Sequence, residues 1–123
     1  MNRHLTKTIF LCTFSLLLYF SSTVFAQHVN PPKNKFVQFY VIGMTEGTQS
    51  RAIDLFMRAQ TNILISRADP NTRLYFAIFP ASADFNEDTF TTWLASLGYQ
   101  ISCYREGVHG EDRVLSKENY TCD

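Results

Sequence analysis

The sequence predicts an α+β domain, with a four-stranded antiparallel sheet carrying two helices on one face. Three observations lead there. Four runs rich in aromatic and β-branched residues, and two segments with helical spacing of apolar residues, follow residue 35. Their order is βαββαβ. Right-handed crossovers then put both helices on the same side of one sheet.

Each element has a local reason. Phe36 to Gly43 reads as the first strand, with Val37, Phe39 and Val41 on one face and Phe36, Gln38, Tyr40 and Ile42 on the other. Met44 to Thr48 is a polar turn, and Thr48 is placed to cap a helix from about Gln49 to Gln60. Ile53, Phe56 and Met57 form that helix's apolar stripe, and Asp54 and Arg58 an i,i+4 pair on its wet side. Ile63 to Ala68 reads as the second strand, and Asp69-Pro70-Asn71-Thr72 as a turn. Leu74 to Phe79 is an unbroken apolar run, as suits a central strand, and Pro80 ends it. Asn86 can cap a second helix from Glu87 to Leu97, which buries Phe90, Trp93, Leu94 and Leu97 and stops at Gly98. Tyr99 to Arg105 reads as the fourth strand. The whole is a ferredoxin-like sandwich.

The chain ahead of this domain reads as a secretory signal over residues 1–26. Arg3, His4 and Lys7 supply the positive start, Ile9 to Phe20 the apolar run, and Val24-Phe25-Ala26 the small-residue ending. The run is short for a membrane span, which needs roughly 20 apolar residues, and an uncleaved anchor is the alternative reading. Cleavage would discard Cys12 and leave an extended leader at 27–35, the folded domain at 36–105 and a tail at 106–123. The expected product is periplasmic or secreted, with no membrane attachment after cleavage. Removing Arg3 and Lys7 from a balance of 11 basic and 11 acidic residues leaves a charge of −2. The signs are interspersed, so no basic stripe is present and nucleic acid is not an expected partner. Cys103 and Cys122 remain, and in an oxidising compartment two cysteines are expected to pair, with two free thiols or a bridge between two chains as the alternatives. Asn119-Tyr120-Thr121 matches a glycosylation acceptor, which matters only in a eukaryotic source.

Val41-Ile42-Gly43-Met44-Thr45, closing a strand and opening a helix, resembles the signature of heavy-metal-associated domains. The similarity extends to Ile53-Asp54, to Asn62-Ile63 and to Leu97-Gly98-Tyr99, and covers about Phe36 to Tyr104. A signal peptide before one such domain is also similar to the periplasmic mercury-binding proteins. The resemblance implies a Gly-Met-Thr-Cys-x-x-Cys loop that holds a soft metal ion between two thiolates. Here Glu46 and Gln49 occupy the two cysteine positions. A carboxylate and a neutral amide are poor ligands for Cu(I) or Hg(II). Cys103 is not expected to compensate, because seven residues of strand at about 3.3 Å each put it some 20 Å from the loop. The degenerate loop Met44, Thr45, Glu46 and Gln49 is therefore expected to hold no metal and no cofactor. A harder ion held weakly by Glu46 and Gln49 is the competing reading, against an acid that simply favours a helix N-terminus. Met44 is either a thioether ligand or a core residue.

Other chemistry is thin. His28 would be second in the mature chain, where an N-terminal amine with a nearby histidine can bind Cu(II), but Gln27 tends to cyclise and remove that amine. His109, between Gly107 and Gly110, is a lone histidine with no partner at ligand spacing. No nucleophile and base stand in a recognisable motif, and Asp84, Glu87 and Asp88 gather at a helix start, where acids are expected for the dipole alone. An enzyme is not expected. The outer sheet face is more apolar than a solvated face requires, with Phe36, Tyr40 and Ile42 on it and the run 74–79 beside them. Either the tail folds back over this face, or the face binds an unidentified protein partner or a second copy. The functional expectation is an exported, non-enzymatic binding or interaction module, with a metal carrier using unconventional ligands as the alternative.

Overall fold

The computed structural model describes residues 30–122. The expected signal segment, with Cys12, and residues 27–29 of the leader, with His28, lie outside the described residues. From Pro32 onward the chain forms one compact unit. It contains β1 (Asn34–Ile42), α1 (Gly47–Arg58), β2 (Ile65–Ala68), β3 (Leu74–Pro80), α2 (Glu87–Ser96) and β4 (Gln100–Val108), with single 3-10 turns at Ala81–Ala83 and Lys117–Asn119. No helix among the described residues is long and apolar enough to cross a membrane.

The four strands pair antiparallel in the order β2-β3-β1-β4. This is the expected ferredoxin-like arrangement. The core lies between the sheet and the helices. Val37, Phe39 and Val41 of β1 and Tyr75, Ala77 and Phe79 of β3 meet Ile53 and Met57 of α1 and Phe90 and Leu94 of α2, all fully buried. Phe39 stacks on Tyr75 with ring centroids 4.8 Å apart and tilts against Phe90 at 5.7 Å. Phe56, Trp93 and Leu97 pack at its margin, half-buried rather than central.

Several boundaries differ from the sequence reading. α1 starts two residues early, because Glu46 rather than Thr48 takes the N-cap position. β2 begins at Ile65, not Ile63, since Asn62 adopts φ 73° and turns the chain there. Asparagine accepts that left-handed backbone better than most residues. β1 starts at Asn34, inside the expected leader, and β4 runs on to Val108, into the expected tail. Asn86 does cap α2, accepting from the Thr89 N–H at 3.1 Å. Gly98, at φ 88°, ends it, with the Gly98 and Tyr99 N–H groups bonded to the Ala95 and Leu94 carbonyls.

Asp54 and Arg58 do not pair with each other on a wet surface. Asp54 Oδ1 accepts from the Ser66 hydroxyl at 2.9 Å and from the Ala68 N–H at 3.0 Å, and Arg58 donates to the Ser66 carbonyl at 3.2 Å. The two side chains thus occupy backbone groups along the free edge of β2, which would otherwise be open to another strand.

The register of β4 on β1 also differs. Arg105 faces Gln38 and Ser102 faces Tyr40, so a bulge places Cys103 near Phe39 rather than opposite Val37. Cys103 has φ 56°, the left-handed conformation that opens this kind of bulge.

Candidate functional site

The β1–α1 loop is the place the sequence singles out, and its side chains are engaged in building the helix start. Gly43, at φ 92°, turns the chain out of β1. Met44 then points inward and is fully buried in the hydrophobic core, so its thioether is a packing group. Thr45 and Glu46 are exposed. Gln49 reaches back across the first turn, and its Oε1 accepts the Thr45 N–H at 2.9 Å and the Glu46 N–H at 3.1 Å. A helix start leaves such N–H groups without intrahelical partners, and a side-chain carbonyl three residues on is a recurrent way to satisfy them.

This arrangement does not fit a soft metal ion. The position of one expected thiolate is an amide oxygen already holding two N–H groups, and the other is a lone exposed carboxylate. Thiolates cannot come from elsewhere among the described residues, because Cys103 and Cys122 form a disulfide with their Cα atoms 5.1 Å apart. No group of three or more His, Cys, Asp or Glu side chains gathers at metal-binding distance among the described residues. His109 is exposed and its backbone N–H bonds the Asn34 carbonyl at 2.9 Å, extending the β4–β1 ladder.

The outer sheet face is covered in part, over β1 and β4, by the chain's own tail. After β4 the chain turns at 109–112, where the Asp112 carboxylate accepts the Val108 N–H at 2.7 Å. It then runs back over the strands to Cys122. Gln38, only 3% exposed, anchors it: Nε2 donates to the Leu115 carbonyl at 2.8 Å, and Oε1 accepts the Leu115 N–H at 3.0 Å and Arg105 Nη1 at 2.8 Å. Arg105 also donates to the Arg113 carbonyl and lies 5.5 Å from the centre of the Phe36 ring. Tyr120 donates to the carbonyls of Gln38 and Cys103 and meets Tyr40 edge-on at 5.1 Å. Burial of Tyr120 pushes its pKa up to about 12.

The three residues expected to form an open face therefore part company. Phe36 is completely buried, wedged against Gly107, where a Cβ would come within 2.7 Å of the ring. It is not available to a partner, because the bare backbone at Gly107 lets strand and tail close over it. Tyr40 is half-buried beneath Tyr120. Ile42 is 51% exposed. Gln38, Arg105 and Gly107 were not marked by sequence reasoning as holding this face.

No protein-family model matches the chain, and no curated protein matches it. Solved structures do. The chain is similar in fold to oxidised MerP from Ralstonia metallidurans CH34, at 20% identity and a TM-score of 0.50, over 62% of this chain and 97% of that one. It is also similar to a copper-binding domain from HMA7, a P-type ATPase, at 13% identity and a TM-score of 0.49, over 64% of this chain and 99% of that one. The likeness to MerP bears out the expected resemblance to heavy-metal-associated domains at the level of fold.

Proposed function

We propose that this protein is an exported, non-enzymatic binding module built on the heavy-metal-associated fold and no longer dependent on a soft metal ion at the β1–α1 loop. The observation that carries the reading is the state of Gln49. Its Oε1, at a position the resemblance gives to a thiolate, is committed to two backbone N–H groups of the helix start. The chemistry left at the loop is a single exposed carboxylate, too few hard ligands for a tight divalent site. Export is supported by the basic, apolar and small-residue sequence of positions 1–26 and by the disulfide. The non-enzymatic reading rests on the sequence, in which no Ser or Cys stands in a recognisable nucleophile–base motif.

Thermal unfolding of the reduced and the oxidised protein with and without Cu(I), Hg(II) and Zn(II) tests the reading. A carrier gains stability in proportion to the logarithm of ligand over dissociation constant. The expected midpoint does not move with any of the three in the oxidised protein. A rise that disappears in Glu46→Ala would establish the loop as a metal site and overturn the proposal.

A further inference from the structure

At the β1–α1 loop end of the outer sheet face, the tail and the β2–β3 turn leave a cleft of about 530 Å³ between them. Tyr40, Ile42 and Gly43 line one side of it, Asn71, Thr72 and Arg73 a second, and Ser102 and Lys117 a third. Arg73 and Lys117 come from separate segments, and no acidic residue lines the cleft. The ion pairs of the described residues are Lys33–Glu111 and Lys35–Glu106, so neither Arg73 nor Lys117 is neutralised by one of them. The remaining polar side chains, Tyr40, Asn71, Thr72 and Ser102, can each donate as well as accept. Thr72 Oγ1 already accepts the Leu74 N–H at 3.3 Å, which leaves its hydroxyl proton to donate.

The backbone of Arg73 is fixed, while Arg73 and Lys117 themselves stand exposed to solvent. Arg73 has φ 63°, a conformation that favours glycine or asparagine, and both its backbone groups are bonded. The N–H donates to the Asp69 carbonyl at 2.8 Å and the carbonyl accepts the Val41 N–H at 2.9 Å. A bulky cation at a position where a smaller residue would be easier points to a use for the side chain. Ile42, half exposed, and the Tyr40 ring give the same cleft an apolar wall.

We propose that this cleft binds a small organic oxyanion, a carboxylate or phosphate ester with an apolar body, between Arg73 and Lys117 with the body against Tyr40 and Ile42. A guanidinium takes a carboxylate or a phosphate through paired N–H groups, and the lysine adds a second charge. The proposal rests on the reading of the protein as a binding module and gives that module its ligand class.

Amide shifts of the isotope-labelled, oxidised protein, titrated with benzoate, phenyl phosphate, inorganic phosphate and benzyl alcohol, test it. Saturable shifts with benzoate or phenyl phosphate are expected at Tyr40 to Gly43, Asn71 to Arg73, Ser102 and Lys117. Inorganic phosphate is expected to bind at least about tenfold more weakly, since it lacks the apolar body, and benzyl alcohol, which lacks the charge, to leave the cleft unmoved. Arg73→Gly removes the cation while easing the backbone, so it is expected to weaken binding about tenfold or more without lowering the unfolding midpoint. No saturable shift at these residues up to about 10 mM, or affinity unchanged in Arg73→Gly, would overturn the proposal. Equal binding of inorganic phosphate and phenyl phosphate would overturn its apolar half. A silent cleft in a protein that also ignores Cu(I) removes this proposal and leaves the module. Loop-dependent Cu(I) stabilisation removes the module reading whatever the cleft does.

Discussion

The β1–α1 loop and the C-terminal tail invert the expectation that a recognisable motif marks the working part of a molecule. The loop carries the family-like Gly43-Met44-Thr45 pattern, yet Met44 packs the core and Gln49 caps a helix. The tail carries no pattern, yet through Leu115, Tyr120 and Cys122 it covers the outer face over β1 and β4. The loop carries the Gly-Met-Thr pattern with Glu46 and Gln49 where the resemblance implies thiolates. The tail gains its role from long-range partners, above all Gln38, 77 residues away from Leu115 in sequence.

Putting thiolates back is the most severe test of that contrast. In the double variant Glu46→Cys, Gln49→Cys the two sulfurs would stand at the two ends of a ready turn. Titration of the otherwise oxidised protein is expected to change from no measurable Cu(I) binding to a tight site, the largest effect predicted for this molecule. A double variant that binds no better than the parent would mean that the loop has lost the geometry as well as the ligands.

The tail should respond to its covalent tie. Cys103 and Cys122 are 19 residues apart, and opening a loop of that size costs about 3 kcal/mol in the chain-entropy account. Cys122→Ser is expected to lower unfolding stability by that order and to expose Phe36, readable as dye binding and as faster hydrogen exchange along β1. Gln38→Ala should follow, at about 1–3 kcal/mol, because Arg105 and Leu115 lose a buried partner. Neither change is expected to disturb the loop, whose hydrogen bonds are local. If Cys122→Ser is as stable as the parent, the tail is an appendage and the comparison fails.

Short-range signals explain why most of the fold was legible in the sequence. The alternation in Val37-Gln38-Phe39-Tyr40-Val41, the Asn86 cap and the Gly98 stop each act within a few residues, and the structure contains all three. What the sequence concealed depends on meetings between distant segments. Nothing local marks Gln38 as buried, since a glutamine on an outer face is what solvent exposure would select. The bulge at Cys103 shifted the register because a left-handed cysteine has no compositional sign. The Gln49 cap was missed for another reason: Thr48 is a better N-cap residue than Glu46, so intrinsic preference pointed two positions too late. At the site, the absence of thiolates was readable directly, but the cleft between Arg73 and Lys117 needed both the turn and the tail in place.

The loop's contribution to stability should be modest beside the tail's. Gln49→Ala leaves the Thr45 and Glu46 N–H groups to water at an exposed helix start. A loss of about 1 kcal/mol is expected in chemical denaturation, with the slope unchanged. A loss as large as that from opening the disulfide would make the loop the stronger element and reverse the ranking.

The smallest effect separates the tail's polar anchor from its covalent one, through pH. Burial raises Tyr120 to about 12, against about 10 for an unfolded tyrosine. The folded state therefore favours the protonated phenol. Its contribution is complete below about pH 10 and is lost as the pH rises through about 12, the sign that linkage requires when an acid's folded pKa is the higher one. Tyr120→Phe keeps the ring against Tyr40 but removes the donor to the Gln38 and Cys103 carbonyls. At neutral pH it is expected to be less stable than the parent by about 1 kcal/mol. Burial also raises Tyr75 and Tyr104 above the ordinary range, so both proteins should weaken in alkali, and only the gap between them reports on the tail. That gap should narrow as the pH climbs past about 10, because the unfolded parent then gives up the Tyr120 proton that its folded state retains until about 12, and the variant has no such proton. Denaturation midpoints of the two proteins from pH 7 upward measure it, and a gap that stays constant would show that the Tyr120 hydroxyl does not hold the tail in place.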